Sequence, residues 1–366
     1  IWYLKSVRTL VVGTTGGEFT VSADGTDASI TPTNVTIKRQ SSFGSANVDA
    51  IPAGNAILFL QKAKRKIREL AYNFDSDGYV APDLTILNDT VTKSGINEMS
   101  YQQEPDSIIW CVRDDGQLVG LTYQRSENVV AWHRHIFGGV FGSGDAVCES
   151  VASISGTLTE DEVWVIIKRT INGATKRYIE CFSDFDFDET SATDFKFLDS
   201  HLSYSGSSVS SLSGLSHLEG QTVSILADGS VHADKVVSSG AISLDRSVTS
   251  ACVGLSYDSV LQTMRIEGGA AEGTSQGKTK RISKVVLRLF ETVGVKVGPS
   301  LTSLETVPFR TTSSSLSSPV DTLLAGDKEI EFRDDYNSDG FIFIKQDQPL
   351  PCSVLAIYPT LVTSDG

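Results

Sequence analysis

The pattern of apolar and polar positions is clearest between residues 106 and 125. An apolar run, Ser107-Ile-Ile-Trp-Cys-Val-Arg113, leads into Asp114-Asp115-Gly116, and a second run, Gln117-Leu-Val-Gly-Leu-Thr-Tyr123, follows. Asp-Gly between two strand-like runs is the strongest short hairpin signal, because the tight turn needs residues that tolerate positive φ. Related turns surround Gly16-Gly17, Lys64-Arg65 and Asn172-Gly173. The turns fall near residues 16, 65, 116 and 173, which spaces them by 49, 51 and 57 residues. A four-stranded propeller blade takes about 40–50 residues, so the repeat predicts a blade array.

The copy around residue 110 shows four strands: Ile96–Tyr101, Ser107–Arg113, Gln117–Tyr123 and Val129–His133. The preceding copy predicts Val48–Ile51, Ala56–Leu60, Ile67–Tyr72 and Asp83–Leu87. The charged stretch Lys62–Arg68 raises a helix question, but Ile57-Leu-Phe-Leu60 aligns better as a blade strand. The following copy predicts Val147–Ile154, Glu162–Lys168 and Lys176–Phe182. Four copies do not close a typical ring, so the array is expected to be partial.

After Phe182 the composition changes. An acidic and aromatic run, Asp184–Glu189, precedes a Ser/Gly-rich region, His201–Ser216. Strand patterns at Gln221–Leu226, Lys235–Val237, Ala241–Leu244 and Ala251–Val253, with a turn at Asp228-Gly229, predict a small inserted β-barrel. Gly268–Gly277 reads as a linker. In Arg281–Phe290, alternation places Ile282, Val286, Arg288 and Phe290 on one face and Ser283, Val285, Leu287 and Leu289 on the other. Ser313–Ser318 reads as a loop, and Lys328–Phe332, Gly340–Lys345 and Cys352–Tyr358 read as closing strands. The expected fold is all-β: a partial β-propeller-like blade array with an inserted small β-barrel and a further β segment. The expected divisions are 1–182 for the blades, 183–270 for the barrel, 271–350 for the further β domain, and 351–366 for a strand returning to the propeller.

The chain has 366 residues, enough for two or three domains, and a net charge of −14. The acidic balance argues against a conventional nucleic-acid binder, which needs a basic footprint, but suits a surface that DNA passes without sticking. No apolar stretch approaches the roughly 20 residues that span a bilayer, so no membrane anchor is expected. No signal-peptide pattern opens the chain. The start on Ile1-Trp2-Tyr3-Leu4, without Met, leads to the expectation of a piece of a longer protein. The five cysteines are scattered and lack a C-x-x-C pair, which fits free buried thiols in a reducing cell.

Catalytic motifs are missing from the pattern: no nucleophile elbow, dinucleotide motif or phosphate loop occurs, and Gly13-Thr-Thr-Gly16 lacks the lysine and helix that a phosphate loop requires. No cofactor is expected. His133 and His135 share one face of a strand and offer two zinc ligands, with no third ligand identifiable; with Trp132 they read as surface-contact residues. Asp335–Gly340 and Asn73–Gly78 resemble half of a calcium loop, but Gln346 stands where the first would need a closing Glu, and both read as polar turns. Asp184, Asp186 and Asp188 alternate with Phe185 and Phe187; with Glu189 they are candidate acidic lumen or contact residues rather than a paired-carboxylate site. The basic runs Lys62–Arg68 and Lys278–Lys284 are expected to meet acidic surfaces of neighbouring subunits. Trp110 and Trp164 read as core residues.

One resemblance emerges from three stretches. Tyr101–Tyr123 with Val130-Ala-Trp-His-Arg-His135, then Gly214–Gly229, then Lys280–Leu289 with the residues on to Gly294, resemble the tail nozzle or hub family of tailed phages and prophages, similar in role to the distal tail tube protein of short-tailed phages. The resemblance covers roughly residues 50–300. It implies a propeller platform with an inserted barrel, assembled as a ring, usually six-fold, around the DNA exit channel. The implied role is a structural virion protein that gates and conducts the genome, made in the bacterial host cytoplasm and located in the tail. It implies as partners further copies of the chain, adjacent tail or adaptor proteins, and DNA that passes without sequence-specific binding. The chain is expected not to be an enzyme. The alternatives are a carbohydrate- or receptor-binding tail module and, third, a propeller glycosidase.

Overall fold

The computed structural model describes residues 1–24, 28–156, 160–183, 195–268, 274–309 and 323–364. The run Asp184–Glu189, the loop Ser313–Ser318 and residues 269–273 of the linker Gly268–Gly277 lie outside them. The described residues form an all-β protein of small antiparallel sheets with no α-helix. None of its elements is a helix long and apolar enough to cross a membrane. The chain divides into two compact units, residues 1–170 with 175–184, and residues 171–174 with 185–366.

The first unit is a row of blade-like sheets. Three of them are four-stranded meanders: Tyr3–Ser6, Leu10–Thr14, Gly17–Ser22 and Thr36–Ser41; then Ile51–Ala53, Ala56–Leu60, Ile67–Asn73 and Gly78–Val80; then Ile96–Gln102, Ile108–Arg113, Leu118–Gln124 and Val129–His135. A fourth sheet has three strands, Val147–Ser155, Asp161–Ile171 and Ala174–Cys181. Each of the four repeated turns joins the second strand of its sheet to the third. The first strand of each sheet lies beside the first strand of the next.

This stacking explains why the central strands are apolar without a break. Ala56–Leu60 is buried at every position. Ile57 and Phe59 point to the seam with the first sheet, where they meet Tyr3, Val11 and Leu70. Leu58 and Leu60 point to the seam with the third sheet, where they meet Ile109, Cys111, Val119 and Leu121. The third sheet repeats the arrangement, sending Trp110 and Val112 to the seam with Cys148, Val151, Val163, Val165 and Ile167. A sheet covered on both faces needs apolar side chains of both parities. Burying Ile57, Leu58, Phe59 and Leu60 contributes roughly 6–12 kcal/mol at about 1.5–3 kcal/mol each, an upper value because unfolded chains bury some of this surface.

One blade strand differs from expectation. The fourth strand of the second sheet is Gly78–Val80, not Asp83–Leu87. Asp83 turns the chain instead: its carboxylate accepts the Thr85 backbone N–H at 2.9 Å and the Thr85 hydroxyl at 2.5 Å. Such a side-chain-closed turn competes with strand geometry.

In the second unit, the segment expected as a barrel is a four-stranded sheet. Its order is Asp199–Ser213, Ala241–Leu255, Thr222–Ala227, Ser230–Val236, and it does not close among the described residues. The Ser/Gly-rich region is its 15-residue edge strand, held by Leu202, Tyr204, Val209 and Leu212, which pack on the core of that sheet. Two further sheets share another core. One orders Ser259–Gln262, Phe343–Gln346, Lys296–Ser300 and Ser303–Thr306; the other orders Leu324–Glu331, Thr279–Thr292 and Ser353–Ser364. The C-terminal strand, expected to return to the propeller, therefore pairs along Thr279–Thr292. The face assignment of Arg281–Phe290 also changes. The register shifts between Ile282 and Lys284, and this bulge puts Ile282 on the buried side with Val285, Leu287 and Leu289.

Candidate functional site

The outer strand of the third sheet, Val129–His135, gathers the three contact residues read from the sequence. Alternation sends them to opposite faces. Trp132 packs against the seam between the second and third sheets, and its indole N–H donates to the Leu84 carbonyl at 3.0 Å. His133 and His135 turn to the other seam. Their rings share a hydrogen bond between Nδ1 of His133 and Nε2 of His135 at 2.8 Å. Both meet Trp110 edge-on, at 5.7 and 4.8 Å between centroids, and His135 stacks on Phe182. Trp110 is anchored by its N–H to the Gln102 side chain, 3.0 Å away.

The neighbourhood is apolar, and that sets the protonation state. Burial lowers the pKa of His133. Burial first, and His133 second, push His135 down to about 3. At neutral pH both are free bases, each with one N–H and one lone pair. No group of three or more His, Cys, Asp or Glu with metal-binding geometry occurs among the described residues, so no closed zinc site is assembled there.

The two calcium-like loops are polar turns. In Asp335–Gly340, the side-chain oxygen of Asn337 accepts the N–H groups of Asp339 and Gly340 at 2.9 and 2.7 Å, while its amide donates to Asp334. The buried Lys280 side chain lies against Gly340 and donates to the Ile266 carbonyl at 3.2 Å, which places a cationic group beside the turn. In Asn73–Gly78, Asn73 accepts the Ser76 N–H at 3.1 Å. Cations of the two basic runs meet partners within the chain: Lys66 pairs with Asp83 at 2.8 Å, Arg68 lies over the Phe43 ring, Arg281 donates to the Asp334 carbonyl, and Lys284 pairs with Glu329 at 3.1 Å.

Two features were not singled out in the sequence. A shallow groove of about 580 Å³ in the second unit is lined by Arg281, Lys284, Glu329, Glu331 and Arg333, a charge-mixed surface with Ser283 and Asp335 at its side. More telling are the two ends of the blade row. On the first sheet, register puts Leu4, Val12 and Phe19 in one transverse row, on the face away from Tyr3 and Val11. Leu4 is 56% exposed, and Ile37, opposite Val21 on that face, is 64% exposed. On the fourth sheet, Trp164 and Ile154 point away from the Val163–Val165–Ile167 seam and are 36% and 51% exposed. Trp164, read as core, is thus at an outer face. Each end of the row exposes apolar side chains of the kind buried at its internal seams, interleaved with charges: Arg39 stands opposite Phe19 on the first sheet, and Glu162 and Lys168 share the face of Trp164 on the fourth.

No protein-family model and no curated protein matches the chain.

Proposed function

We propose that the chain is a structural virion protein of a phage tail, whose copies join into a ring that gates and conducts genomic DNA during ejection. The observation that supports this reading best is the pair of apolar end faces on the blade row. A face of Leu4, Val12, Phe19 and Ile37 at one end and of Ile154 and Trp164 at the other suits head-to-tail contact between copies. Such heterologous contacts close into rings when the rotation between copies permits. The resemblance in residues 101–135, 214–229 and 280–294 supplies the tail setting, the six-fold order and the neighbours: tail and adaptor proteins, and DNA passing through an acidic channel that repels phosphate. The proposal assigns no catalytic role.

The test uses two variants, Leu4→Glu with Ile37→Lys, and Ile154→Glu with Trp164→Glu, followed by native mass measurement and negative-stain imaging. The unaltered chain is expected to form rings with a central hole. Each variant alone is expected to fall to monomers, and a mixture of the two to stop at one-to-one dimers, because only one intact interface remains. A chain that stays monomeric at all concentrations, or rings indifferent to both variants, would overturn the assembly. Binding of a polysaccharide by such a monomer would favour the receptor-binding alternative.

A further inference from the structure

We propose that Lys280 and Asn337 are the two ends of an intramolecular isopeptide bond, formed by attack of the lysine amine on the side-chain amide of Asn337 with loss of ammonia. The two residues stand directly opposite each other as an antiparallel pair: each backbone N–H donates to the other's carbonyl, at 2.8 and 2.9 Å. In such a pair the Cα atoms are about 5.5 Å apart and both side chains leave on one face, a gap that a lysine side chain spans. Lys280 is fully buried, with 0% of its surface exposed. Its aliphatic stem lies against Gly340, and its Nζ donates to the Ile266 carbonyl at 3.2 Å. An ammonium buried against a neutral carbonyl is a costly arrangement. Ile282, next on the same face of the strand, and Phe332 and Ile342, which flank the Asn337 turn in sequence, belong to the apolar core.

The Asn337 amide is held as acyl transfer requires. Its Oδ1 accepts the N–H groups of Asp339 and Gly340 at 2.9 and 2.7 Å, two donors placed as in an oxyanion hole. Its Nδ2, the group that leaves, donates to the Asp335 carbonyl at 3.0 Å and to the two oxygens of the buried Asp334 carboxylate at 3.0 and 3.2 Å. Burial raises the Asp334 pKa, so this carboxyl holds a proton more readily than an exposed one. A turn about the last bonds of the Lys280 side chain carries Nζ from the Ile266 carbonyl to Cγ of Asn337, and the backbone pairing and the contacts of the amide need not change. Asp334 takes one proton from the Lys280 ammonium, and the free amine attacks Cγ. Asp334 then passes that proton to Nδ2, which departs as ammonia when the Cγ–Nδ2 bond breaks, and takes up the second proton that the attacking nitrogen sheds. Ammonia leaves with that proton as ammonium, so the positive charge of Lys280 goes out to solvent and a neutral amide stays behind.

The intact mass of the denatured full chain is the test. It is expected to fall below the sequence mass by one ammonia, and a proteolytic digest is expected to yield one branched peptide that joins residues 280 and 337. Lys280→Ala and Lys280→Arg are expected to keep the full sequence mass. Asn337→Asp is expected to join as well, with loss of one water instead of ammonia. Asp334→Ala is expected to slow the joining by about a hundredfold or more, the scale of general acid–base catalysis. A full chain that keeps its sequence mass after prolonged incubation at neutral pH would overturn the proposal. So would a loss of ammonia located at Asn172-Gly173, where succinimide closure also releases it, with residues 280 and 337 recovered in separate peptides. Joining at an unchanged rate in Asp334→Ala would overturn the proton transfers. The mass and the digest are measured on the unaltered chain and do not depend on any variant folding.

Discussion

Gly120→Ala tests the packing of the third sheet against its outer strand. Gly120 stands opposite His133 in the register. A Cβ added there would lie 2.5 Å from Nε2 and 2.9 Å from Nδ1 of that imidazole, with Cε1 closer still. The backbone at Gly120 does not have positive φ, so the penalty is steric and not conformational. Overpacking of this kind costs about 1–3 kcal/mol. Displacing the ring also breaks its edge-on contact with Trp110, worth about 0.5–1.5 kcal/mol. Once His133 is shortened, the obstacle is gone, and Gly→Ala in a strand is expected to stabilise by about 0.5–1 kcal/mol through the unfolded chain. The unfolded-chain gain is common to both backgrounds and cancels, so the double-mutant cycle of Gly120→Ala with His133→Ala should show a coupling of about 1.5–4.5 kcal/mol. Urea unfolding followed by tryptophan emission is the assay. All four tryptophans, Trp2, Trp110, Trp132 and Trp164, lie in the first unit, so the signal reports that unit alone. If Gly120→Ala costs the same in both backgrounds, the His133 ring does not occupy that space and the reasoning fails.

Three further outcomes follow from titratable groups. Burial, and His133 second, push the pKa of His135 down to about 3 in the folded chain, against 6.5 for a free imidazole. Above pH 6.5 neither state binds the proton; below it the unfolded state binds first, so stability falls as pH drops, by about 2 kcal/mol at pH 5, from 1.5 pH units at 1.36 kcal/mol each. Urea midpoints of the first unit from pH 7 to 5 measure that slope, and His135→Phe should lessen it, with His133, whose pKa burial also lowers, acting in the same direction. Glu149 behaves as a depressed carboxylate, its pKa pushed down to about 2 by hydrogen bonds from Arg177 and Lys168. Its contribution is complete above pH 4.5 and lost as pH falls toward 2, so Glu149→Gln should reduce the acid sensitivity of unfolding without affecting stability slope near neutrality. Among the thiols, burial raises Cys111, pushes Cys148 up to about 12, and Cys252 and Cys352 up to about 11. Cys181 is exposed and Cys352 half-buried, so a disulfide reagent at pH 8 should label Cys181 quickly, and the buried Cys111, Cys148 and Cys252 only on unfolding; rapid labelling of Cys111 would contradict the packed seam.

Much of the blade row was legible because the turns are chemically marked. Asp115-Gly116 and Asn172-Gly173 carry positive φ at Gly116, Asn172 and Gly173, as hairpin turns require. The run Ile57-Leu-Phe-Leu60 suits a doubly covered strand, and it is one. What was hidden depended on partners distant in sequence. The bulge at Ser283 is set by the register with Ser353–Ser364, and a single strand does not carry that information. The edge strand Asp199–Ser213 is mostly serine, and only its spaced Leu202, Tyr204, Val209 and Leu212 hold it to a core. In the candidate site, the shared face of His133 and His135 followed from spacing, whereas the assignment of Trp132 to a different seam needed the sheet on each side.

The same logic bears on the ends of the row. In stacked-repeat proteins a terminal repeat stays soluble by carrying a polar outer face. Here the first sheet carries Leu4, Val12, Phe19 and Ile37 outward, and the fourth carries Ile154 and Trp164. Those residue types match the buried seams, where Ile57 with Phe59 and Val163 with Val165 are closed. Polar groups on the fourth sheet include the network of Glu149, Lys168 and Arg177 and Glu162, which accepts the Trp164 indole N–H at 2.9 Å. The charges stand on the same face as Ile154 and Trp164, with Glu162 directly opposite Ile154 in the register, so in the proposed contact polar groups would border the apolar ones, as at the rim of a protein interface. A contact built this way is specified twice, by the apolar row for affinity and by the surrounding charges for register. If copies assemble as proposed, substituting Lys168 should disturb the geometry and salt dependence of that assembly, whereas substituting Trp164 together with Ile154 should abolish it.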